Sequence, residues 1–181
     1  LRLEEGELDA SRFEDVCAAA SRLHERGDRR GAVAKLDEAL RLWRGRPYAE
    51  FADEEWVRAE VARLDEVRIG ALELRCESLL ELGRGVDAIA ALESLIDEYP
   101  LRARPRALHM QALYRTGRQA EALRAFQQFR EQLINEVGVT PSEELVELDR
   151  QIAAGSLGQA ASARRVHGYE IHELIGSGAF A

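Results

Sequence analysis

Gly83-Arg84-Gly85-Val86-Asp87-Ala88-Ile89-Ala90-Ala91-Leu92 carries a pattern that the chain repeats three times. An alanine follows the glycine at the fifth position and a large apolar residue at the ninth: Gly83, Ala88, Leu92; Gly27, Ala32, Leu36; Gly117, Ala122, Phe126. Glycine suits a tight turn inside a helical hairpin, because it takes left-handed backbone at no steric cost. The alanine has no bulk beyond Cβ, so its helix can approach a partner closely, and the large residue one turn on fills the groove.

Helical periodicity extends outward from these turns. Ser11 with Glu14 predicts a capping box, followed by Phe13, Val16, Cys17, Ala20 and Leu23 on one face down to Gly27. Asp28 predicts the cap of a second helix with Ala32, Val33, Leu36, Ala39, Leu40 and Trp43 inward, broken by Arg44-Gly45-Arg46-Pro47. A long third helix is expected from Asp53 to Gly83 through Trp56, Val57, Val61, Leu64, Val67, Ala71, Leu74 and Leu82, with Gly70 as a place to bend. Val86, Ile89, Leu92, Ile96 and Tyr99 predict a fourth, stopped by Pro100. Leu108, Ala112 and Leu113 predict a fifth, in which Pro105 is tolerable only in the first turn. Ala122, Leu123, Phe126, Leu133 and Val137 predict a sixth, ending at Gly138. Thr140-Pro141-Ser142-Glu143 reads as N-cap, N1 and N3 of a seventh helix with Leu145, Leu148 and Ile152 inward and Gly155 at its end.

Gly83 to Gly117 spans 34 residues, the tetratricopeptide period. The expected fold is therefore all-α: a TPR-like superhelical stack of three antiparallel helix pairs plus a C-terminal capping helix. Such a stack offers a concave face for binding and has no built-in chemistry.

Composition agrees. The 181 residues hold 33 acids and 25 bases, a net charge of −8, with 46% hydrophobic and 32% charged residues, as in soluble globular proteins. No apolar run approaches the roughly 20 residues of a membrane span, so no membrane partner and a cytoplasmic location are expected. Cys17 and Cys76 are too few for a disulfide scaffold and read as buried thiols. Lys35 is the only lysine, so nearly all positive charge is arginine, which fits either phosphate recognition or the codon usage of a GC-rich genome.

Four strings carry a family resemblance: Ala39-Leu40-Arg41-Leu42-Trp43-Arg44-Gly45; Tyr99-Pro100-Leu101-Arg102; Met110-Gln111-Ala112-Leu113-Tyr114-Arg115-Thr116-Gly117-Arg118-Gln119-Ala120-Glu121-Ala122-Leu123; and Gly138-Val139-Thr140-Pro141. In this order they resemble the bacterial transcriptional activator domain of SARP-type regulators from actinobacteria. Ala103-Arg104-Pro105 departs from the family, whose members usually continue there with an acidic, proline-free helix start. The resemblance implies that residues 11–154 form this domain and that residues 1–10 are the exit of a preceding winged-helix domain. Residues 155–167 would be a linker. Residues 168–181, Gly168-Tyr169-Glu170-Ile171 to Gly176-Ser177-Gly178-Ala179-Phe180-Ala181, resemble the first strand and glycine-rich loop of a protein-kinase-like domain. Gly176 and Gly178 would be the remnant of that loop, with Ala181 where a third glycine would stand.

The function implied is that of a non-catalytic effector and oligomerisation module in transcription activation. Its partners would be its own winged-helix domain, a second protomer in a homodimer, or RNA polymerase, and promoter DNA would be reached only through the N-terminal domain. The alternative is a TPR-like peptide-binding scaffold or the regulatory domain of a kinase-like signalling protein. From Arg102 to Arg130 seven arginines face one acid, Glu121, whereas Glu50 to Glu66 holds seven acids and two arginines. These blocks could steer partners, meet each other, or be ordinary solvated helix faces. Arg115, Arg118 and Arg124 are the candidate partner contacts. His24, His109, His167 and His172 show no metal spacing, and Trp43 and Trp56 read as core or as a partner pocket. No catalytic set, metal site or cofactor is expected.

Overall fold

The computed structural model describes residues 5–43, 45, 47–48 and 55–157, with side chains from Asp9 onward and, in the third helix, from Val57 onward. Seven helices occupy these residues: α1 Glu5–Glu25, α2 Arg29–Leu42, α3 Glu55–Glu81, α4 Gly85–Glu98, α5 Ala103–Arg115, α6 Gln119–Val137 and α7 Glu143–Ala153. No described residue lies in a strand.

The three repeat glycines make one kind of turn. Gly27, Gly83 and Gly117 sit at φ +85°, +75° and +81°. Each donates its N–H to the carbonyl three residues back: Gly27 to His24 at 2.9 Å, Gly83 to Leu80 at 3.1 Å, Gly117 to Tyr114 at 3.0 Å. The next N–H reaches five residues back: Asp28 to Leu23 at 2.9 Å, Arg84 to Leu79 and Arg118 to Leu113 at 2.8 Å. Together these close the orphan carbonyls of the first helix in a Schellman turn. Asp28, Arg84 and Arg118 are at the same time the N-cap residues of the following helices. Asp28 also caps with its side chain, Oδ1 accepting the Gly31 N–H at 2.8 Å.

Each turn folds its two helices together, giving the pairs α1/α2, α3/α4 and α5/α6. Consecutive pairs dock through α2 on α3 and α4 on α5, and α6 packs on α7. The leading helices also touch one another, α1 on α3, α3 on α5 and α5 on α7, whereas no comparable packing joins α2 to α4 or α4 to α6 among the described residues. The leading row is therefore the crowded, concave side, and α7 occupies the place of a fourth leading helix.

The repeat alanines lie where pairs close: Ala32, Ala88 and Ala122 have no exposed surface. Leu36 and Leu92 are also fully buried and Phe126 nearly so; each such side chain contributes about 1.5–3 kcal/mol of apolar burial. Phe13, Cys17, Ala20, Leu36, Ala39 and Ala71 form a small core under the first pair. A larger core runs from Val33 through Leu79, Leu92, Met110 and Phe129 to Ile152 on α7.

Several details differ from expectation. α1 already runs from Glu5, so Ser11 is an exposed mid-helix residue instead of a cap, and residues 5–10 are its first turns. α7 is capped by Ser142, whose ψ of 154° is extended, so the helix cannot have begun at Pro141 with Thr140 as its cap. α3 is helical from the first described residue of this stretch, Glu55, the expected start at Asp53 lying outside the described residues, and it is continuous through Gly70, about 40 Å at 1.5 Å per residue. Val86 is 72% exposed and Val137 51%, so neither belongs to the inward stripe. α5 begins at Ala103 and holds Pro105, buried, at its third position, where the missing N–H has no helical acceptor to lose.

Candidate functional site

The concave face carries two grooves that share one wall. The first, about 600 Å³, lies between α1, α3 and α5; Cys17, Leu36, Val67, Ala71 and Leu74 make its floor, and Glu14, Ser21, Arg63, Glu73 and Arg104 its rim. The second, about 610 Å³, lies between α3, α5 and α7, with Ala107, Leu108, Leu145, Leu148 and Leu157 below and Glu77, Gln111, Glu144, Glu147 and Gln151 above. Arg104 lines both. Its Nε stands 3.2 Å from Glu73 Oε2 and its Nη2 2.8 Å from Glu77 Oε2, which ties α5 to two successive turns of α3. Arg63 links α3 to Glu14 on α1 and pairs with Glu60 at 2.6 Å.

Burial holds the Glu73 carboxyl above its ordinary value, with Arg104 pulling the other way. The first groove thus has an apolar floor and a rim on which two arginines balance two carboxylates, whereas Glu77, Glu144 and Glu147 outnumber Arg104 around the second. None of these rim residues is conspicuous in sequence. The signal available is that they are the polar positions beside the inward stripe of alternate helices, which becomes readable once the helices are paired.

The basic third hairpin is largely engaged within the molecule. Arg102 pairs with Glu66, and Arg104 with Glu73 and Glu77. Arg106 donates to Gln132 at 3.0 Å and lies over the Phe129 ring. Arg68 on α3 similarly makes a two-pronged bond to Glu98 on α4 and covers Trp43. Of the three arginines singled out as partner contacts, Arg115 donates to the Leu80 carbonyl at 2.9 Å and Arg118 pairs with Glu121 at 2.6 Å. Arg124 is exposed and makes no hydrogen bond or ion pair among the described residues. Arg115 and Arg118 lie on either side of the Gly117 turn, and Arg124 lies farther along α6; none of them lines the concave grooves.

Trp43 packs its ring 5.3 Å from that of Phe13, joining the end of α2 to α1. The side chain of Trp56 and the residues Gly176 and Gly178 lie outside the described residues. Cys17 and Cys76 are buried free thiols, each pushed up to about 11 by burial, so both are protonated at neutral pH. His109 is held below its ordinary value, mainly by burial. His24 places Nδ1 2.8 Å from the hydroxyl of Ser78, itself fully buried.

Comparison with known proteins places this architecture. Residues 8–153 match the family model of the bacterial transcriptional activator domain. Regulatory protein DnrI of Streptomyces peucetius is 39% identical over 144 residues, covering 80% of this chain and 53% of the relative. Regulatory protein AfsR of Streptomyces griseus is 38% identical over 156 residues, 84% of this chain and 16% of the relative. The chain therefore spans about half of the first and a sixth of the second. Among solved structures, Mycobacterium tuberculosis EmbR in complex with a low affinity phosphopeptide superposes with a TM-score of 0.78 at 27% identity, over 87% of this chain and 44% of that one.

Proposed function

The chain belongs to the bacterial transcriptional activator domain family of SARP-type regulators, and on that premise we propose that it acts by binding, as a non-catalytic effector and oligomerisation module in transcription activation. The observation that carries the reading is the concave row of α1, α3, α5 and α7, whose two apolar-floored, polar-rimmed grooves suit a protein surface. The acidic rim of the groove between α3, α5 and α7 repels a phosphate backbone and the balanced rim of the other offers it no net attraction, so promoter DNA is assigned to a preceding winged-helix domain, and the partners of the grooves are that domain, a second protomer or RNA polymerase. The same reading makes residues 155–167 a linker and residues 168–181 the start of a kinase-like domain. No helix among the described residues is long and apolar enough to cross a membrane, and a transcription regulator works in the cytoplasm.

Arg124 is the best placed of the three candidate arginines for phosphate or partner contact, because Arg115 and Arg118 are already engaged. An electrophoretic shift series on the parent-length protein tests it. Arg124→Ala should weaken promoter binding evenly across sequences and reduce the salt slope by about 1; unchanged affinity and slope remove the DNA-contact role.

The peptide-scaffold reading is favoured by one feature, the leucine-floored groove between α3, α5 and α7. Pull-downs with and without the upstream domain separate the two. Capture that requires the upstream domain supports the regulator module, and capture by the helical domain alone supports the scaffold.

A further inference from the structure

We propose that His24, Glu77 and Glu81 form a site for one divalent transition-metal ion, zinc first, which clips α1 to α3. A ring nitrogen of His24 and one carboxylate oxygen from each glutamate lie within 4.8 Å of one another. Glu77 and Glu81 are four residues apart and so share one side of α3, while His24 comes from the last turn of α1. One imidazole nitrogen with two carboxylate oxygens is a donor set that zinc accepts, with water completing the coordination.

The surroundings are those that orient metal ligands. Ser78 holds His24 through Nδ1, and a ring whose Nδ1–H donates to that hydroxyl offers Nε2 to an ion. Arg104 binds Glu77 through Oε2, and Arg29 binds Glu81 through Oε2. Each carboxylate is thereby fixed in direction while its Oε1 carries no hydrogen bond among the described residues. The glutamate side chains are 34% and 37% exposed, so an ion can reach them without opening the core. The two arginines weaken the attraction for a cation. Spacing along the chain hides this set, because its ligands come from two helices with all of α2 between them.

The test is calorimetric titration of the full chain, freed of metal by a chelator, with zinc chloride and separately with magnesium chloride. The proposal expects one zinc per chain, a rise in melting temperature on zinc addition, and no matching response to magnesium. His24→Gln and Glu77→Gln should each weaken zinc binding at least about tenfold while keeping the helical circular dichroism of the parent. If either variant loses that signal, Glu81→Gln, at the exposed rim, replaces it. Absence of zinc binding, zinc binding retained in His24→Gln, or equal binding of magnesium would each overturn the site.

Discussion

Arg115 of α5 donates from Nη1 to the main-chain carbonyl oxygen of Leu80, 2.9 Å away in the last turn of α3. That carbonyl also accepts the Gly83 N–H of the turn at 3.1 Å, and the guanidinium takes its second lone pair, favoured there by the helix dipole as well. The residue that sequence marks as a partner contact is thus also a brace between the second and third pairs. Arg115→Ala should cost about 1 kcal/mol in urea unfolding, whereas Arg124→Ala should leave the midpoint unchanged. Equal midpoints for both variants would deny the brace.

Gly85 opens α4 against α5, and a Cβ there would stand 3.0 Å from Thr116 Cγ2. Thr116 cannot easily turn away, because its hydroxyl donates to the carbonyls of Ala112 and Leu113. Gly85→Ala should therefore destabilise by about 1 kcal/mol despite the better helix propensity of alanine. Thr116→Ser, which keeps the hydroxyl and removes the methyl, should relieve that loss in the double variant. A thermodynamic cycle with no coupling between the two positions would refute the clash.

Ala88 is fully buried at the closure of the second pair, while Ala90, two residues on, is exposed. Ala88→Leu should cost at least 1–3 kcal/mol by overpacking, roughly the range seen for well-filled cores. Ala90→Leu should stay within about 0.5 kcal/mol of the parent. Thermal melts of the two single variants would show the contrast; similar melting points would mean that close approach does not depend on the small residue.

His109 supplies an acid-sensitive term. Burial pushes its imidazole below the ordinary 6.5, with Glu93 opposing and Arg106 and Arg118 adding to the depression. The unfolded chain then takes up a proton first as pH falls, so stability is full above 6.5 and declines below it until the folded imidazole also titrates. His109→Gln should flatten the change in urea midpoint between pH 7 and pH 5. An unchanged pH profile in that variant would assign the acid sensitivity to other groups.

The helix pairs were legible because Gly27, Gly83 and Gly117 need left-handed backbone and Ala32, Ala88 and Ala122 need close contact, two demands that few residue types meet. Helix starts were less so. Ser11 and Thr140 carry capping chemistry, but a residue caps only where its own backbone leaves the helix, and here α1 runs straight through Ser11 while the break before α7 falls at Ser142. Val86 and Val137 fit the helical period yet lie at helix ends and stand exposed. The groove rim was hidden for another reason: Glu14, Arg63, Glu73 and Arg104 become a surface only when the three alternate helices α1, α3 and α5 are set side by side.

The turns at Asp28, Arg84 and Arg118 leave no slack, since one residue ends the first helix and starts the second. Adding a single residue there would rotate everything downstream by about 100° and swing the methyl group at the seam toward water. Length can vary only in the connectors from one hairpin to the next, as in the stretch joining α2 to α3. Relatives of this chain should therefore keep their insertions out of these three corners, and graft points for fusion belong between hairpins.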